Sequence, residues 1–120
     1  MTGMPPPAAG DPAGTPAALV VLIAIPSALA EAVARRLVEE GRAACVNCVP
    51  RMRSIYTWAG HVEEAEESLL LVKTTAAGYP ALERRVRELH PYEVPELLAL
   101  PAVAGFGPYL EWLNRSVTAA

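Results

Sequence analysis

The stretch from Ala43 to Thr75 narrows the fold more than any other, because two long strand-like runs meet there at nothing more than Ala59-Gly60. A two-residue connection leaves the runs Ala43 to Trp58 and Val62 to Thr75 one arrangement, an antiparallel hairpin. Counting back from the turn sets Trp58 opposite His61, Arg53 opposite Glu66 and Arg51 opposite Ser68. The inner half, Leu69-Leu70-Leu71-Val72, has core composition, whereas the outer half alternates polar and aromatic residues. Strands of this length overrun a small core. Tyr56 and Trp58, two apart, share a face of the projecting arm, and a neighbouring subunit is the simplest cover for them.

The flanking elements complete one domain. Ala18 to Ile25 is unbroken apolar sequence, as expected of a central strand. Ser27 reads as the N-cap of a helix whose stripe is Leu29, Val33 and Leu37 with Ala30 and Ala34, and Gly41 ends it. A second helix runs from about Tyr79 to Leu89, with Glu83–Arg87 and Arg84–Glu88 spaced for ion pairs. Leu97 to Leu100 makes a fourth strand, and about Tyr109 to Thr118 a third helix. The order β-α-β-β-α-β-α is the split βαβ, ferredoxin-like α+β plan. Its crossover is expected to set the first strand parallel to the third.

Residues 1–17 hold five prolines, three glycines and four alanines with one charge, and read as a disordered tail before a domain over 18–120. The longest apolar run, Ala17 to Pro26, is too short to span a bilayer. A formal charge of -3 with basic residues scattered among acidic ones argues against a nucleic-acid surface. Two cysteines without an export signal fit a cytoplasmic protein with free thiols. No nucleophile motif, phosphate loop or zinc-binding helix motif is present, so a non-enzymatic role is expected.

His90-Pro91-Tyr92-Glu93-Val94-Pro95-Glu96 is the densest polar cluster. Pro91 stops the second helix and Pro95 sets the entry into the fourth strand, so the segment is either a rigid corner or a ligand site. Cys45 and Cys48 spell C-x-x-C within a strand, where side chains three apart face opposite ways unless a bulge intervenes, and are read as two small buried residues. Glu63, Glu64, Glu66 and Glu67 are read as a solvated, salt-bridged run. Lys73 is either solvated or an anion contact in an intersubunit cleft with His90, Tyr92 and Glu96 nearby.

Five segments together resemble the CutA divalent-cation tolerance family: Arg42-Ala-Ala-Cys45-Val46-Asn47, Ser54-Ile-Tyr-Thr-Trp58-Ala-Gly60, Leu71-Val-Lys-Thr-Thr75, the His90 to Glu96 corner and Tyr109-Leu-Glu-Trp-Leu113. The resemblance covers about residues 18 to 118. It implies a homotrimer of ferredoxin-like subunits, PII-like in shape, whose long hairpins pair with neighbours. It also implies a link to copper and other divalent cations, bound in some members by cysteine and histidine. Members implicated in copper binding carry a cysteine at the end of the first strand and two adjacent histidines, where this chain has Ile23, Leu89 and His90. His90 and Cys45 are therefore the candidate metal ligands, and Tyr56, Trp58, Lys73, Tyr92 and Glu96 the candidate cleft residues. The other readings are a PII-like sensor of an anionic metabolite and a scaffold trimer.

Overall fold

A computed structural model describes residues 18–118; the tail expected over residues 1–17 lies outside the described residues. The elements run β1 (Ala18–Ile25), α1 (Ser27–Glu39), β2 (Cys45–Trp58), β3 (His61–Thr75), α2 (Tyr79–Leu89), β4 (Leu97–Pro101) and α3 (Gly107–Ser116). The sheet order is β2-β3-β1-β4, with every neighbouring pair antiparallel. This is the ferredoxin-like α+β plan, and β1 lies at its centre between β3 and β4. One expected direction is corrected: β1 is antiparallel to β3. The crossover helix α1 leads from β1 into β2, so β1 and β2 share a direction, and the tight turn then reverses the chain into β3, which slots between them.

The core lies between one face of this sheet and helices α1 and α2. Val21, Ile23, Ile25, Leu70 and Val72 face Val33 and Leu37 of α1 and Leu82 and Val86 of α2. Strand residues alternate between faces, so Val20, Leu22, Leu69, Leu71, Leu98 and Leu100 occupy the opposite face. Leu98 and Leu100 there are exposed, and the others half-buried. The sheet is apolar on both sides, while α1 and α2 cover only one.

Local chemistry explains most boundaries. Gly41 takes φ +73° and closes α1, where the amide of Arg42 donates to Leu37 O at 2.9 Å. Ser27 is the first helical residue, not the N-cap; Pro26 holds that place, and the Ser27 hydroxyl instead meets the Ser68 hydroxyl at 2.9 Å. Leu29 of the expected stripe is exposed, and Ala30 and Ala34 let α1 approach the sheet with Val33 and Leu37. On α2 the ion pairs run from Arg85 to Glu40 and Glu88, tying α2 to the end of α1, rather than through the expected Glu83–Arg87 and Arg84–Glu88 pairs.

The hairpin turn puts both Ala59 (φ 53°) and Gly60 (φ 82°) in the left-handed region, as a two-residue turn of that twist requires. Trp58 faces His61 and Arg53 faces Glu66 as counted. Farther in, the count fails. The register shifts between Val49 and Met52, so Pro50 and Arg51 form a bulge, with Arg51 at φ 59°, and Arg51 has no ladder place opposite Ser68. Pro50 has no N–H to give the ladder, which is why the extra residue is accommodated there.

Candidate functional site

Pro91 keeps α2 from continuing, and the corner that follows is held to the end of β1 by His90. The imidazole is buried; its Nε2 lies 2.7 Å from Ala24 O, and the Tyr92 amide donates to its Nδ1 at 3.2 Å. The carbonyl can only accept and the amide only donate, so the ring carries its proton on Nε2 and both nitrogens are engaged. His90 thus pins the corner, which presents Tyr92 to the underside of the β2–β3 arm. Tyr92 Oη donates to Glu67 Oε2 at 2.9 Å. Loss of solvent around the hydroxyl, with the Glu67 carboxylate beside it, pushes the Tyr92 phenol up to about 12.

Beneath the arm is a cavity of about 700 Å³, lined among others by Tyr56, Trp58, Glu67, Tyr92, Glu93 and Glu96. Four of the five expected cleft residues therefore meet in one place within a single chain. Three carboxylates and no lysine or arginine line the cavity. Glu67 corrects the reading of the acidic run as solvated, since it is 5% exposed. It pairs with Met52, the first β2 residue beyond the bulge, where arm and corner close over it. Arg53 does meet the run, but its ion pair goes diagonally to Glu64.

Lys73 lies elsewhere. It is six residues along β3 from Glu67, about 20 Å at strand rise, and within one chain it is not near His90, Tyr92 or Glu96. Its ammonium donates to Asn47 Oδ1 and contacts Cys45 Sγ at 3.6 Å. Tyr109 of α3 reaches the same cysteine, and burial together with that contact holds its phenol above the ordinary range.

The metal candidates are not brought together. Cys45 stands opposite Lys73, which stands opposite Val20; His90 is bonded at Ala24, four residues farther along β1, or about 13 Å at strand rise. Ile23 is fully buried among core side chains and Leu89 packs against that core. Among the described residues no group of three or more histidine, cysteine, aspartate or glutamate side chains is arranged to hold a metal ion. Cys45 and Cys48 do face opposite sides of the sheet, but the reading of both as buried is corrected: Cys45 is half-buried and Cys48 exposed. β2 is an edge strand, and only the flank of α1 shields Cys48. Desolvation there, with the Glu31 carboxylate adding to it, raises the Cys48 thiol above its ordinary value.

A split βαβ sheet with an overlong hairpin belongs to the ferredoxin-like class that includes PII-like proteins, and a PII-like CutA of Nostoc sp. PCC 7120 superposes with TM-score 0.81 at 35% identity, over 85% of this chain and 99% of that one. The chain belongs to the CutA1 divalent ion tolerance family, which it matches over residues 19–116. It is 54% identical over 98 residues to the divalent-cation tolerance protein CutA of Thermus thermophilus, covering 81% of this chain and 95% of that relative. A solved Thermus thermophilus structure of that name superposes with TM-score 0.83 at 52% identity, over 84% and 99% of the two chains. The mouse protein CutA is 42% identical over 92% of this chain, which spans only 63% of that longer relative.

Proposed function

We propose that the protein acts as a non-catalytic homotrimer in divalent-cation tolerance, assembled through the β2–β3 arm and the sheet face opposite α1 and α2. The observation that carries the assembly is the arm itself: Ile55, Tyr56, Trp58 and Val62 are 67%, 45%, 59% and 73% exposed in the single chain. Tyr56 and Trp58 share the sheet face that also exposes Leu98 and Leu100, while Ile55 and Val62 lie on the other face of the arm, and apolar surface on this scale favours a partner of the same kind. No helix among the described residues is long and apolar enough to cross a membrane. The two thiols are free and face apart, which fits a reducing compartment such as the cytoplasm. A structural relative from Archaeoglobus fulgidus is described as periplasmic, so compartment is a property to test by fractionation.

In this reading copper is at most a weak ligand. His90 has both ring nitrogens in hydrogen bonds that hold the corner, and Cys45 lies far from it, so one ion gains only one soft donor per chain. Calorimetric titration with copper should give a Kd no tighter than about 1 μM, dependent on His90 if heat is seen. A nanomolar affinity retained in His90→Ala would overturn that expectation and direct attention to Cys45 and Cys48. An anionic metabolite is not favoured at the cavity, whose charged lining is entirely carboxylate.

A further inference from the structure

Glu67 presents an unanswered charge. It is a carboxylate in a residue 95% buried, held through one oxygen by the neutral Tyr92 hydroxyl, with no ion pair to any described residue. A buried carboxylate is costly unless a cation or further donors meet it. The cavity it lines supplies none from its own walls; Glu93 and Glu96 add two more carboxylates, and neither is ion-paired among the described residues. The same cavity is lined by Tyr56 and Trp58, which share the face of the arm with Glu67 and whose ring faces attract cations and cover methylene chains. A metal ion suits this arrangement poorly, since no three candidate ligands converge.

We propose that this cavity binds an aliphatic polyamine, one ammonium donating to Glu67, the others meeting Glu93 and Glu96, and the methylene stem lying against Tyr56 and Trp58. The volume of about 700 Å³ is within the range of small-molecule sites and accommodates such a chain. Tyr92 acts as the positioning residue, because its hydroxyl fixes one Glu67 oxygen and leaves the other for the ligand. The cavity opens on the arm assigned above to a neighbouring subunit, so the proposal places the amine at a subunit junction and rests on that assembly.

The test is calorimetric titration of the full chain with spermidine, and with magnesium chloride at matched ionic strength, alongside light scattering of each sample. Spermidine should saturate with a Kd below about 1 mM, weaken at least tenfold in Glu67→Gln and stay unchanged in Glu39→Gln, a surface carboxylate of α1. If Glu67→Gln does not fold, Glu96→Gln should show the same direction of loss. Absence of saturation in a sample of trimer mass would overturn the amine site and leave the assembly standing. Saturation in a sample of monomer mass would overturn the assembly, and with it the junction placement. Equal weakening in Glu39→Gln, or displacement by magnesium at equal ionic strength, would overturn a specific site. Binding seen only in Lys73→Met would show that a second copy's lysine, the chain's single one, fills the place proposed for the amine.

Discussion

The two halves of the β2–β3 hairpin, joined across a break in the ladder, stand in different surroundings. In the inner half, Leu70 and Val72 are fully buried beneath α1 and α2. In the outer half, Ile55 and Val62 are 67% and 73% exposed, and the turn projects past the end of β1. The Pro50–Arg51 bulge and the buried Glu67 mark the boundary. Strand hydrophobicity serves the fold in the inner half, whereas in the outer half it is left exposed, where the proposed assembly would use it. Substitutions in the two halves should therefore fail in different ways.

The largest effect is expected in the inner half. Leu70→Ala leaves a cavity in a fully packed site and should cost about 2–5 kcal/mol in urea unfolding. A loss below about 1 kcal/mol would break the distinction, since the inner half would then carry no more of the fold than the arm. Trp58→Ala should leave the subunit folded but weaken association by about 2 kcal/mol, read as a shift of the mass profile to higher protein concentration. Cys48→Ala, on the opposite end of β2, should not produce that shift; equal effects of the two would count against a shared arm.

At the boundary, Tyr92→Phe should cost about 1–3 kcal/mol by leaving the buried Glu67 without its donor. The phenol also gives a pH signature. Its folded value of about 12 is above the ordinary 10, so the folded state holds this proton more tightly. That contribution is fully present below pH 10 and is lost as pH rises toward 12. The phenylalanine variant should lack this component of the decline, and matching slopes for both proteins would rule out the Tyr92 contact as its source. The smallest change is at the tip, where Ala59 sits at φ 53°: Ala59→Gly should stabilise the arm by about 0.5–1 kcal/mol, checked by thermal unfolding.

What could be seen in the sequence follows the same boundary. α2 was legible to the residue, Tyr79–Leu89, because a period of apolar residues is stopped by Pro91. The central place of β1 followed from its unbroken apolar run, and the corner at His90 from its paired prolines. The sequence marked Tyr56 and Trp58 on the arm and Tyr92 and Glu96 at the corner as cleft residues, but their meeting in one cavity of a single chain depends on how the corner folds under the arm. Glu67 was missed because a run of four glutamates reads as solvent-facing, although its spacing of two from Leu69 and Leu71 put it on their face. The bulge had a signal in Pro50, a residue poorly suited to an uninterrupted ladder. The place of Lys73 beside Cys45 and Asn47 depends on cross-strand register rather than on any local pattern.

Assembly is the claim on which both the arm and the cavity depend, and its mass tests it most directly. Light scattering at micromolar concentration should give three times the chain mass of 12.7 kDa, with a thermal midpoint that rises as protein concentration is raised. A monomer mass across that range, with a reversible and concentration-independent midpoint, would contradict it.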